Sequence, residues 1–287
     1  MNRNLGLAHL SALHLSPPEL IDAAAAAGFT SVGIRVHPAT QNERPYPVSA
    51  GSPMSKKTLG RMEATGLTVR DVEAFTLDGI RSKEQWIPAL ESGAALEAEI
   101  LNVICGDPDS GRLKDALSAL VEDAKAYKIR PSVEPISYQA LDSVTAAGAL
   151  VEQTGCGIML DVLHFVRAGG RVAELRDLPP NAVAVIQLCD GPASTPSLPT
   201  PDLMPLGQDV NGSARQIESR AKRLAPGRGD FPLTEILRAL PDAPISVEVP
   251  DVWSADAEGT DVHLRRIYTA AESLLDSLHM TETEPTS

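Results

Sequence analysis

The sequence predicts an α/β fold built as a single (β/α)8 TIM barrel with a long loop after the seventh strand. Two observations predict it. A short β-branched run followed by an Ala/Leu-rich amphipathic stretch recurs eight times along 287 residues, the size and count of such a barrel. No G-x-G-x-x-G turn follows the first strand, as it often does in the competing doubly wound open sheet.

The elements follow in order. LGLAH (5–9) leads to PPELIDAAAAAG (17–28), and SVGIRV (31–36) leads through a polar loop to SPMSKKTLGRMEATG (52–66). LTVRDVEAF (67–75) precedes KEQWIPALESGAALEA (83–98), and EILNVIC (99–105) precedes LKDALSALVEDAKAY (113–127). RPSVEP (130–135) is followed by DSVTAAGALVEQTG (142–155), and GIMLD (157–161) by a short segment near 162–178. AVAVIQL (182–188) leads to PLTEILRAL (232–240), and PISVEV (244–249) to DVHLRRIYTAAESLLDSL (261–278). Ser16 before Pro17-Pro18 marks a helix start, while Gly28, Gly66 and Gly155 mark helix ends. One connection is anomalous: residues 189–231 are rich in Pro, Gly and Ser, and GSARQIESRAKRL (212–224) within them reads as an extra helix. Residues 1–278 form the barrel, and 279–287 read as a disordered tail.

Composition narrows the function. Hydrophobic residues make up 43% of the chain and aromatics only 3%, so Ala, Leu, Val and Ile build the core. A formal net charge of -13 repels phosphate backbones and anionic membranes, so no nucleic acid and no membrane is expected as a partner. No apolar run approaches the roughly 20 residues of a membrane span, and MNRNLGLAHL lacks the pattern of a signal peptide. Cys105, Cys156 and Cys189 are odd in number and form no CxxC pair, which fits reduced thiols in a cytoplasmic protein.

A barrel interior is packed with apolar side chains, so polar residues at the C-terminal ends of strands stand out. The fifth strand ends in Glu134, the sixth in Asp161, the seventh in Gln187 and the eighth in Glu248. Three carboxylates at one level repel each other unless a cation sits between them. An oxygen-rich set without cysteine suits Mn²⁺ or Mg²⁺, with Co²⁺ also compatible, and Gln187 fits as a neutral carbonyl ligand. A lone strand-end carboxylate often caps a helix or pairs with an arginine; four neighbouring strands carrying oxygen donors are harder to explain so. His9, Arg35 and Glu73, at or near the ends of the first three strands, are candidates to meet substrate hydroxyls or an anionic group.

On VEP in the fifth strand, LDVLH in the sixth, QLCD in the seventh, RLAPGRGDFP and SVEVP, the chain resembles the xylose-isomerase-like barrels. These include sugar-phosphate isomerases and epimerases, inosose and dehydroshikimate dehydratases, and apurinic endonucleases. The resemblance implies that Glu134 bridges metal and substrate, that Asp161 and Glu248 ligate the metal, and that Glu248 serves as a second acid/base. It places His164 beside the substrate and Asp190 in the aspartate position of an HxxD-like pattern. Gln187 stands where the epimerases usually carry a histidine ligand, and dehydroshikimate dehydratases look similar in having a glutamine among three carboxylates. Arg223 precedes the Pro-Gly turn that the family places at the active-site rim, with Ser219 four residues earlier on the same face if the segment is helical.

The reaction expected is proton abstraction next to a carbonyl of a small polyhydroxy substrate, by Glu134 or Glu248, through a metal-stabilised enediolate. Isomerisation or epimerisation of a keto-sugar is the default outcome. Loss of water, with His164 as acid, is the alternative, and a non-catalytic barrel subunit is a further one. A homodimer is an option by analogy with barrels that pair through rim helices.

Overall fold

The computed structural model describes residues 4–210 and 212–282. Eight parallel strands close into a barrel in chain order, β1 pairing with both β2 and β8. They are β1 (Leu5–Leu7), β2 (Ser31–Arg35), β3 (Thr68–Leu77), β4 (Ile100–Cys105), β5 (Arg130–Glu134), β6 (Gly157–Asp161), β7 (Val183–Leu188) and β8 (Ile245–Val247). Helices α1 (Pro17–Ala27), α2 (Pro53–Thr65), α3 (Lys83–Ala95), α4 (Ser110–Ala124) and α5 (Val144–Thr154) fill the first five crossovers. Two short helices, α6 (Val162–Arg167) and α7 (Val172–Arg176), follow β6. α8 (Ala214–Ala221) and α9 (Leu233–Ala239) follow β7, and α10 (Val252–Glu258) and α11 (Thr260–Glu282) follow β8.

All eight expected strands form. The helix starts obey their local chemistry: Ser16 and Glu19 make a reciprocal capping box on α1, and Gly28 closes it in the left-handed conformation at φ 106. The expected 212–224 helix stops at Ala221, because Lys222 and Leu224 leave it extended to bridge Asp251 and Asp190. α10 arises in a stretch read as loop, and α11 runs four residues into the expected tail. The last five residues of that tail lie outside the described residues. No described helix is long and apolar enough to cross a membrane.

Side chains alternate across each strand, so one set faces the helices and the other the lumen. The helix-facing set forms the main core, including Leu7, Ile34, Phe75, Leu101, Leu160 and Ile186. In the lumen, Ile100, Met159 and Val185 pack as an apolar layer. Two residues further along these strands stand Asn102, Asp161 and Gln187. The barrel register then sets Asp161 beside Gln187 and Gln187 beside Ser246. Glu248 follows one residue past β8, its backbone N–H donating to Leu188 O.

Candidate active site and metal centre

The four strand-end oxygen donors meet as a buried cluster. Glu134, Asp161, Gln187 and Glu248 are each at least nine-tenths buried. Donor atoms of Glu134, Asp161 and His164 lie within 4.8 Å of one another. Asp161 divides its carboxylate between two tasks. Oδ1 accepts from the Leu163 and His164 amides and so caps α6, while Oδ2 accepts from Arg223 Nη1 at 2.8 Å. The same Nη1 is 3.0 Å from Glu248 Oε2. Gln187 Nε2 donates to Glu248 Oε1 at 3.0 Å, and Asn102 Nδ2 donates to Glu134 Oε2 at 2.8 Å.

This geometry sorts the carboxyl groups. Burial pushes Glu134 up to about 7, and the Asp161 charge adds to the effect. Burial also pushes Asp161 up, but the Arg223 guanidinium beside it outweighs that and holds the group below the ordinary carboxylate range. Glu248 rises well above that range through burial, reinforced by Asp161 and Glu134 and only partly opposed by Arg223. One arginine thus keeps one acid ionised, and the others favour the proton.

The donor set fits a divalent cation. Gln187 Oε1 is buried without a hydrogen-bond partner among the described residues, a free carbonyl lone pair beside three carboxyl groups. Glu134, Asp161, Gln187 and Glu248 would hold the ion, with His164 close by.

His164 sits between two hydroxyls: Nδ1 is 3.3 Å from Ser137 Oγ and Nε2 is 3.3 Å from Ser219 Oγ. Tyr138 packs edge-on against the ring and reaches Ser219 Oγ at 3.1 Å. Burial drives His164 down to about 4, and the charges of Arg223, Arg220 and Arg215 lower it further, against the pull of Asp161. It is neutral at pH 7. Arg167 fixes α8 opposite this ring through a buried bidentate pair with Glu218 and a bond to Pro192 O.

Several expected substrate contacts have other partners. Arg223 lies past the end of α8, so it shares no helix face with Ser219; its Nε donates instead to Ser219 O. Both ring nitrogens of His9 meet backbone, Nδ1 accepting from Arg35 N and Nε2 facing Leu15 O. His9 therefore scaffolds the rim in place of the expected substrate contact. Arg35 and Glu73 line the cavity but pair with each other, and Arg35 also pairs with Glu43. Asp190 accepts from the amides of Gly191, Gly229 and Phe231. It clasps the base of the long loop rather than facing a ligand. Gly229 permits this, since a Cβ there would lie 2.4 Å from Asp190 Oδ1.

Sequence alone does not single out Asn102, Tyr138 or Gln208, and it favours a solvated helix face for Arg220. Asn102 carried a signal, a lone amide in the apolar strand ILNVIC. A cavity of about 50 Å³ is lined by Glu134, Glu248, His164, Arg223 and these four. Leu10, Gln208 and Arg220 also wall an outer cavity of about 360 Å³ at the barrel mouth. Arg220 of α8 lines the inner space, and Arg223 there pairs directly with the strand-end acids Asp161 and Glu248.

A family model described as xylose isomerase-like TIM barrel matches residues 21–270. No curated protein matches the sequence. Among solved structures, a xylose isomerase-like TIM barrel/4-hydroxyphenylpyruvate dioxygenase fusion protein superposes with a TM-score of 0.73 at 19% identity. The alignment covers 100% of this chain but 46% of the fusion, so the chain spans about half the length of that relative. The probable 3-DHS dehydratase AsbF from Bacillus anthracis aligns with a TM-score of 0.68 and 12% identity over 94% of this chain and 98% of its own. IolI with a bound zinc atom gives 0.67 and 15% over 96% and 98%. At these identities the structural likeness shows the fold, and the family match goes further: the chain belongs to the xylose isomerase-like TIM barrel family.

Proposed function

We propose that this protein is a divalent-metal-dependent dehydratase acting on a small polyhydroxy keto acid of the 3-dehydroshikimate type. The observation that carries the reading is the buried carboxyl cluster on the strand ends with the bare Gln187 carbonyl beside it, and Arg220 on the wall of the cavity that Glu134 and Glu248 line. A substrate with a carboxylate at one end and an acidic C–H next to a carbonyl at the other fits both walls. The AsbF fold likeness is in keeping with this class.

A bound Mn²⁺, Mg²⁺ or Co²⁺ would polarise the substrate carbonyl and make the neighbouring C–H more acidic. Glu134, oriented by Asn102, takes that proton. The C–O bond of the β-hydroxyl breaks, and the proton returns to the departing oxygen through His164, so that water leaves. Ser137 and Ser219 hold the imidazole in place for this transfer. Epimerisation or isomerisation, the default from sequence, begins with the same proton transfer. Inversion at carbon needs a second carboxylate base, and Glu248 is tied down by Gln187 and Arg223.

The test is to mix Mn²⁺-loaded protein with 3-dehydroshikimate and follow new ultraviolet absorbance, beside deuterium exchange on a panel of ketoses. Absorbance that is lost in Glu134→Gln supports dehydration. Solvent exchange into a ketose without water loss would move the reading to epimerisation or isomerisation. Failure of a calorimetric Mn²⁺ titration to show any site would leave the non-catalytic barrel.

A further inference from the structure

Gln208 lies in the long loop after β7, far in sequence from every strand end. It is 5% exposed, and it walls both the inner and the outer cavity. Its Oε1 is buried with no hydrogen-bond partner among the described residues. Buried amide oxygens are rarely left so, because each has given up its hydration.

The loop holds this residue firmly. Leu206 and Gly207 adopt left-handed conformations at φ 55 and φ 75, which turns the chain sharply just before Gln208. The next residue, Asp209, accepts from Asn42 N at 3.0 Å and Asn42 Nδ2 at 2.8 Å, and its own N–H donates to Thr40 Oγ1. Arg44 N donates to Leu206 O. The strap is therefore pinned to the loop after β2 on both sides of Gln208. A left-handed non-glycine residue is strained, and such strain persists where the surroundings enforce it.

Asn102 is the second such case. It donates to Glu134 and leaves Oδ1 buried and unpartnered, and it lines the same inner cavity. Two residues with bare carbonyl acceptors thus line a space whose other polar groups are acids, arginines, hydroxyls and the His164 imidazole.

We propose that Gln208, with Asn102 across the cavity, forms a hydroxyl-binding subsite that selects substrates carrying a hydroxyl on the side facing the strap. This deepens the dehydratase reading and rests on it. The ligand chemistry follows from the acceptors: a substrate O–H donates to each bare carbonyl, whereas a carboxylate or phosphate would be repelled by them. Arg220, which lines both cavities, takes the anionic end, so the subsite reads the polyol portion. Because Gln208 walls the outer cavity too, it is met by the ligand on the way in.

The experiment compares Gln208→Met, of similar length without an acceptor, and Gln208→Glu, which keeps one, with the wild type loaded with Mn²⁺. Steady-state kinetics on 3-dehydroshikimate and thermal unfolding without substrate are both measured. The expected result is a KM raised about tenfold or more in Gln208→Met, with kcat within about threefold and an unchanged or higher Tm. Gln208→Glu should recover part of the loss in KM. An unchanged KM, or a raised KM accompanied by a lowered Tm, overturns the subsite. If the wild type does not turn over 3-dehydroshikimate, the dehydratase reading falls. The unfolding arm then decides the subsite alone: a lower Tm in Gln208→Met makes the amide structural and overturns it, and an unchanged or higher one upholds a bare acceptor awaiting a donor.

Discussion

The two halves of the barrel mouth hold similar residues and treat them differently. On the β1–β3 side, Arg35 sits between Glu43 and Glu73, and the backbone N–H of His9 donates to Glu73. That network sets one cation between two acids and adds a backbone N–H, and Glu43 Oε2 is its one buried oxygen without a partner among the described residues. On the β5–β8 side, Arg223 is the one cation among Glu134, Asp161 and Glu248, and the Gln187 carbonyl is left bare. The difference separates a scaffold from a site. Charges that satisfy one another hold the fold, and charges that remain uncompensated call for something from outside.

Removing the cation from each half gives the sharpest contrast. Arg223→Met should destabilise the metal-free protein by about 4–5 kcal/mol, since buried carboxyl groups lose their counter-charge. Added Mn²⁺ should restore much of that loss in a urea titration, by supplying the missing charge. Arg35→Met should cost about 3 kcal/mol and show no recovery with metal. Equal recovery in both variants would erase the distinction between the halves.

The smallest effect concerns Asp71, on β3 two residues before Glu73. Gly33 leaves room for both, since a Cβ there would lie 2.6 Å from an oxygen of each. Burial raises Asp71 to about 8, with Glu73 adding to it. The folded protein therefore keeps a proton that the unfolded chain releases. Stability falls as pH climbs from the ordinary carboxylate range to about 8 and then levels off. Asp71→Asn should gain about 1–2 kcal/mol at pH 8, the buried amide offsetting part of the benefit, and the gain should vanish near pH 4. A gain independent of pH, seen in parallel melts, would show that ionisation is not its cause.

The barrel was legible because its strands announce themselves in a few residues each, and the strand-end donors because they break apolar runs. Glu134, Asp161, Gln187 and Glu248 needed only that pattern and the barrel register. The partners of Arg35, His9 and Asp190 were not legible, since they are set by loops that meet across the mouth. Glu43 is only eight residues from Arg35, yet nothing local marks it as a partner. Gln208 was hidden in a Pro-rich stretch with no period. α10 was missed because VWSADAE (252–258) is too short to show helical periodicity.

The Asp190 clasp has a consequence for how this barrel varies. Asp190 and Leu224 exchange backbone hydrogen bonds at 2.8 and 2.9 Å, so the chain that leaves β7 returns to its own starting point before α9 begins. Everything between is an excursion with joined ends. Lengthening such a closed loop is cheap, about 0.6 kcal/mol for each doubling, and leaves the spacing of β7 and β8 untouched. Between those ends the segment carrying Gln208 and Arg220 can change length and sequence while Arg223, just inside the closing pair, keeps its place between the strand-end acids.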